Sequence, residues 1–199
     1  MSAAPASLSA FVQGIGVLGP GIGAWPQCAA ILRGEIRHEL APTLPPPPTL
    51  LPAAERRRTN TSVKLALAVG LEAVQSAGVE PRQLLSVFSS SGADGQNCHE
   101  ICETLAGRAR EVSPTRFHNS VHNAAAGYWS IATGAMRACN VLCAHDASFA
   151  AGLLEAMTQL SGARAPVLLV SYDSPYPPPL HAKRPIADAF ALALLREAE

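Results

Sequence analysis

Charge is scarce and balanced: only 15% of the 199 residues are charged, and fifteen basic side chains cancel fifteen acidic ones. Without a net field, tight binding to nucleic acid or to an anionic membrane needs a local basic patch. The densest basic run is Arg56, Arg57 and Arg58, so neither is expected as a partner. Long apolar runs are missing too. Hydrophobic residues make up 48% of the chain, yet no stretch reaches the roughly eighteen uninterrupted apolar residues of a membrane span. No Lys or Arg precedes Arg33, and Gly14, Gly16, Gly19 and Pro20 interrupt any apolar signal core, so a secretory signal is not expected and a cytoplasmic location is. The five cysteines are an odd count in a chain long enough for an ordinary core, which fits reduced thiols better than a disulfide framework. The length predicts a single domain over residues 1–199.

What is present alternates between strand and helix signals. Ala10 to Val17 (AFVQGIGV) joins an apolar run to glycines and predicts a buried strand that turns sharply. Trp25 to Arg33, with Pro26 near its start and Gly34 behind, predicts a short helix. Ala41 to Ala54 is crowded with prolines, including Pro45 to Pro48, and predicts an extended surface connector. Thr59 to Gly78 carries the strongest helix signal, with apolar residues on a helical period, polar caps ahead and glycine behind. Strands are expected at Leu84 to Ser91, Ala138 to Ala144 and Pro166 to Ser171. Helices are expected at Gln96 to Ala109, His122 to Gly134 and Ala147 to Leu160. A second proline loop, Pro175 to Pro185, leads to a last apolar segment, Ile186 to Leu195. This order predicts an α/β fold with a mixed, mostly parallel sheet between helix layers.

Several constellations invite chemistry. Cys98, His99 and Cys102 lie together, His118 and His122 sit four apart, and Cys139, Cys143 and His145 follow; no C-x-x-C occurs, so no metal site is expected. Gly14 to Gly23 (GIGVLGPGIG) has glycines after a strand but neither the Lys-Ser/Thr of a P-loop nor a dinucleotide fingerprint, and no cofactor is expected. The strand, turn and helix at Leu142 to Leu153 is the arrangement that exposes a nucleophile at a helix N-terminus. Cys143 is the thiol nearest that turn, and on local grounds it is either a nucleophile or a small buried hydrophobe at the strand end.

Four segments, in order, resemble the N-terminal half of the β-ketoacyl synthases of fatty acid and polyketide synthesis, which implies half of a thiolase-like fold. They are FVQGIGVLGPGIGAWPQCAAILRGE (Phe11 to Glu35), ERRRTNTSVKLALAVGLEAVQSAGVE (Glu55 to Glu80), VFSSSGADG (Val87 to Gly95) and FHNSVHNAAAGYWSIATG (Phe117 to Gly134). The last is the most specific, with Asn123, Ala126, Gly127, Ser130, Ile131 and Gly134 at the family's spacing. Carried forward without gaps, the resemblance puts Asp146 at the position of the ketosynthase nucleophile and Cys143 three residues early. An acyl-aspartate is an anhydride that water destroys, so Asp146 argues against catalysis. The histidines that serve condensation belong to the C-terminal half of that duplicated fold, and His118, His122 and His145 are not their equivalents.

A ketosynthase-like chain without its nucleophile resembles the chain-length factors, which dimerise with an active ketosynthase and bound its acyl tunnel. FHNSVHNAAAGYWSIATG and HDASFAAGLLEA look most like the chain-length-factor-like proteins of bacterial aryl polyene pathways. The resemblance implies a ketosynthase subunit as partner and an acyl carrier protein reached through the complex. A half fold would leave an apolar face needing cover. Ala124, Ala125, Ala126 and Gly127, with Tyr128 and Trp129 as anchors, are the residues expected at such a contact, against the alternative of internal packing. Two other readings stand beside it: a small acyl-transferring or thioester-cleaving enzyme using Cys143, and an interaction module built on Pro45 to Pro48 and Pro177 to Pro179.

Overall fold

The computed structural model describes residues 8–163 and 165–197. Strand β1 (Phe11–Leu18) leads to helices α1 (Trp25–Leu32), α2 (Ala53–Arg56) and α3 (Thr61–Ala77). Strand β2 (Leu85–Ser89) is followed by α4 (Gly95–Ala106), α5 (Pro114–His118) and α6 (Ala124–Thr133). Then come β3 (Cys139–Leu142), α7 (Ser148–Ala163), β4 (Val167–Asp173) and β5 (Phe190–Glu197). The strands form one sheet in the order β1-β5-β4-β2-β3. β4, β2 and β3 run parallel, whereas β5 is antiparallel to both β4 and β1. The sheet is therefore mixed, and the last apolar segment is an internal strand rather than a terminal appendage.

Local chemistry sets the two helix starts nearest the functional rim. Asn60 caps α3 by accepting the Val63 N–H at 2.8 Å, and Asp94 caps α4 by accepting the Asn97 N–H at 3.1 Å. The Asn60 amide donates to Asp94 at 2.5 Å, tying the two caps together. Burial pushes the Asp94 carboxyl above its usual range, against the lowering effect of these hydrogen bonds. α3 stops at Gly78, whose φ of 66° is the left-handed conformation that lets the chain leave a helix.

Helices cover both faces of the sheet. On one side α3 and α6 bury Val63, Leu67, Trp129, Phe88, Ala193 and Leu195 in the larger core cluster. β1 lies directly on α3: a Cβ on Gly16 would fall 2.0 Å from the Val69 carbonyl oxygen. Glu72 fixes the end of β1 and the start of α1, accepting the N–H of Val17 at 2.9 Å and of Trp25 at 2.6 Å. On the other side α7 packs through Ala156 and Leu160 against Val87, Val167 and Leu169. It lies on β2 and β4 and leaves the outer faces of β5 and β1 thinly covered, with Phe190 45% and Val12 44% exposed. No helix among the described residues is long and apolar enough to cross a membrane.

Candidate functional site

Because β2, β3 and β4 are parallel, their C-terminal ends share one rim, the place where open α/β sheets put ligand chemistry. Asp173, at the end of β4, ties this rim together. Its Oδ1 accepts from the Ser91 N–H at 2.9 Å, the Ser91 hydroxyl at 2.6 Å and the Ser90 hydroxyl at 3.2 Å. Ser90 Oγ in turn accepts the Ala93 N–H at 2.9 Å. Tyr176 lies on the turn after β2, its hydroxyl 3.4 Å from Ser91 Oγ. A Cβ at Gly92 would fall 2.0 Å from the Tyr176 hydroxyl oxygen, and one at Gly95 2.6 Å from the ring. The glycines of this turn are thus a seat for an aromatic side chain.

The third segment of the rim is the elbow between β3 and α7. His145 holds a left-handed conformation (φ 52°), which a non-glycine residue adopts only when its surroundings enforce it. Ser148 supplies the enforcement: its Oγ accepts the Ala144 N–H at 3.0 Å and donates to the His145 carbonyl at 2.7 Å. The bond from the Ala147 N–H to the Ala144 carbonyl, 2.9 Å, closes the turn.

Asp146 projects from this elbow with its side chain 81% exposed. One oxygen meets Arg184 Nη2 at 2.6 Å, and the other lies 3.3 Å from His145 Nδ1. Arg184 arrives from the second proline loop, largely buried, with Cζ 5.9 Å from the centre of the Tyr176 ring. Its Nε and Nη1 are buried without a hydrogen-bond partner among the described residues, and the aromatic face carries part of that charge. Asp146 is therefore a solvated carboxylate held in an ion pair, the opposite of a desolvated nucleophile waiting for an acyl group.

Cys143 sits just past β3, exposed, and its thiol donates to the Ser91 carbonyl at 3.2 Å. No hydrogen bond joins it to His145, whose ring faces Asp146 instead. Cys98, His99 and Cys102 ride on α4, with His99 paired to Glu103 at 3.2 Å. His118 ends α5, His122 precedes α6 and Cys139 opens β3. Among the described residues no three His, Cys, Asp or Glu side chains gather into a group that could hold a metal ion.

Four of the six residues expected at a partner contact take the alternative, internal packing. Ala125, Ala126, Tyr128 and Trp129 are buried in the chain's own core, Tyr128 and Trp129 at 1% exposure. The cause is α3: Trp129 packs over Gly70, where an added Cβ would lie 3.0 Å from the indole, and against Phe88 with ring centroids 6.4 Å apart. Ala124 is half-buried, and Gly127 is exposed with open space beyond it. The outward residues here are Ile131, 50% exposed, and Met136, 87% exposed. Arg184, Tyr176 and Asp173 were not foreseen. The serines after β2 and the Ser-Tyr-Asp-Ser run closing β4 were a usable signal, because both end parallel strands.

The five-stranded mixed sheet with helices on both faces is of the α/β class, and its likeness to solved structures is to half of a thiolase-like fold. The chain belongs to the family described as beta-ketoacyl synthase, N-terminal domain, whose model matches residues 25–198. Among solved structures it is similar to a chain in the ketosynthase (ApeO) in complex with its chain length factor (ApeC) from Xenorhabdus doucetiae. That match has 24% identity and a TM-score of 0.80 over 97% of this chain and 80% of that one. The ishigamide ketosynthase/chain length factor matches at 14% identity and a TM-score of 0.75, over 95% of this chain and 62% of that one. A type II polyketide acyl-carrier protein complex with its ketosynthase, AntDE:AntF, matches at 13% identity and a TM-score of 0.75, covering 96% of this chain and 63% of that one. The chain thus spans less than two thirds of the length of the latter two. No curated protein matches it in sequence.

Proposed function

We propose that this chain is a non-catalytic, chain-length-factor-like subunit that pairs with an active ketosynthase and bounds its acyl tunnel in aryl polyene, polyketide or fatty-acid-type synthesis. The observation that carries the reading is the ion pair of Asp146 with Arg184 at the elbow where the family resemblance puts a nucleophile. A carboxylate engaged this way leaves the elbow's geometry in place and removes its reactivity. Fold likeness to chains from ketosynthase and chain-length-factor complexes supports the same reading.

The surface supports a partner. β3 is an edge strand of four residues that pairs only with β2 among the described strands, and its outer backbone groups are open to a neighbouring strand. Met136, three residues before β3, is an apolar side chain left 87% exposed. An acyl carrier protein would then meet the complex rather than this subunit's own chemistry.

Co-expression with a ketosynthase of the same pathway, followed by mass measurement of what co-purifies, tests the pairing; a stoichiometric heterodimer is expected. Within that complex Asp146→Ala should leave condensation on the partner's cysteine intact. Loss of condensation in an assembled, folded Asp146→Ala complex would defeat the silent-subunit reading. A chain that ignores the ketosynthase and takes up an acyl group at Cys143, lost in Cys143→Ser, would put a small acyl-transferring enzyme in its place.

A further inference from the structure

A cavity of about 500 Å³ lies between the outer face of α3 and the first proline stretch, within the range of small-ligand pockets. One stripe of α3 forms its wall, with Lys64, Ala68, Leu71 and Gln75 recurring at helical spacing. Residues Pro46, Pro47 and Pro48 form its roof. Polyproline backbone is stiff and has no N–H to bond inward, so the roof spans the space instead of collapsing into it. Anchors hold the roof at both ends. Thr43 donates from its N–H to Asp188 at 2.9 Å and from its hydroxyl to the Ala189 carbonyl at 2.8 Å, while Leu51 is 2% exposed.

The lining is mostly apolar and contains two charged side chains. Both oxygens of Glu72 are already committed, one to the Val17 N–H and one to the Trp25 N–H. The Lys64 side chain has no ion pair or hydrogen bond among the described residues. The uncommitted charge in this apolar trough is therefore positive and stands at one end of it. From Lys64 to Gln75 the helix rises roughly 16 Å, and an alkyl chain of about eight carbons lies within that length.

We propose that this cavity binds a linear, medium-chain monocarboxylate, with the carboxylate on the Lys64 ammonium and the alkyl chain along Ala68 and Leu71 beneath the prolines. The site is built from different residues than the elbow at Asp146, and the proposal holds whether or not the chain pairs with a ketosynthase.

Calorimetric titration of the full chain with octanoate, 1-octanol and octylammonium tests both the shape and the charge of the site. Octanoate is expected to bind saturably, with octanol weaker and octylammonium at least about tenfold weaker than octanoate. Lys64→Ala should weaken octanoate about tenfold, to the level of octanol, and leave octanol unchanged. Ala68→Phe, which fills the trough, should abolish binding of all three with the circular dichroism unaltered. Should Ala68→Phe not fold, methyl resonances of Leu71 and Ala68 in the natural chain locate the ligand instead. The proposal is overturned by absence of saturable octanoate binding, by octylammonium binding as tightly as octanoate, by an unaffected Lys64→Ala variant, or by shifts confined to methyls elsewhere.

Discussion

Trp129 separates what folds this chain from what a partner would touch. Its side chain is 1% exposed, wedged over Gly70 of α3 and tilted against Phe88, with ring centroids 6.4 Å apart. Replacing a buried Trp with Ala removes its burial and leaves a cavity the neighbours only partly fill, at about 3 to 5 kcal/mol. For a chain of this length each kcal/mol shifts the melting temperature by about 2 to 4 °C, so Trp129→Ala should lower it by about 6 to 20 °C. Trp129→Phe should cost much less, because the buried indole N–H has no hydrogen-bond partner to lose among the described residues. Met136→Asp is the counterpart: Met136 is 87% exposed, and its loss should change stability by no more than about 0.5 kcal/mol. On the proposed pairing with a ketosynthase the order reverses. Met136→Asp should weaken ketosynthase binding, whereas Trp129→Phe should leave it unchanged. Differential scanning calorimetry of the lone chain and a pull-down at a temperature where each variant is folded give both readings. A Trp129→Ala chain melting within about 2 °C of the natural one would refute the packing argument, and a folded Trp129→Phe chain that no longer binds would return the indole to the interface.

Gly16→Ala should cost about 1 to 3 kcal/mol in denaturant unfolding, because the new Cβ meets the Val69 carbonyl oxygen at 2.0 Å and neither backbone can yield freely. Glu72→Ala should cost about 2 to 4 kcal/mol by the same measurement, since it strips a charged acceptor from the N–H groups of Val17 and Trp25. A double-mutant cycle of Asp146→Asn with Arg184→Ala should give a coupling of no more than about 1 kcal/mol, the carboxylate being 81% exposed. Asp94 titrates above its ordinary value because it is buried, so between that raised value and the unfolded one near 3.9 the folded chain holds more protons than the unfolded chain. Its contribution to stability is therefore smaller at neutral pH and grows as the pH falls through that window. The stability difference between the natural chain and Asp94→Ala, followed by urea unfolding from pH 7 to pH 4, should rise accordingly.

The helix from Thr61 to Ala77 was legible because its period and both caps lie within the segment itself: Asn60 at one end, Gly78 at the other. The strand from Phe190 to Glu197 was legible only as apolar. Its Ala-Leu-Ala-Leu-Leu run favours a helix by intrinsic propensity, and pairing with β1 on one side and β4 on the other overrides that preference. The resemblance carried the fold, and the local strand, turn and helix signals from Leu142 to Leu153 carried the elbow, but periodicity says only that Tyr128 and Trp129 are buried, not by what. The answer lies in Gly70, far off in sequence, where a missing side chain makes room for the indole. Arg184 was invisible for a related reason: it belongs to a proline loop without a period, and its partnership with Asp146 exists only once the strand ends are brought to one rim.

The elbow itself gives the strongest reason to separate scaffold from chemistry. A left-handed His145 costs on the order of 1 to 3 kcal/mol unless its surroundings hold it. Here Ser148 and the turn from Ala144 to Ala147 hold it closely. That construction presents residue 146 at the head of α7, where the helix N-terminus favours negative charge. A thiolate would gain reactivity from this placement, since the dipole lowers its pKa. A carboxylate there gains only attraction, which Arg184 then adds to and uses to fasten the second proline loop across the strand ends. An elbow that would activate a cysteine anchors a loop when it carries an aspartate. Disrupting the Asp146 pair should accordingly loosen residues 174–184 while leaving the sheet protected, and amide hydrogen exchange in Arg184→Ala is the measurement that distinguishes this from a general loss of stability. Uniformly faster exchange, including in β2 and β4, would refute it.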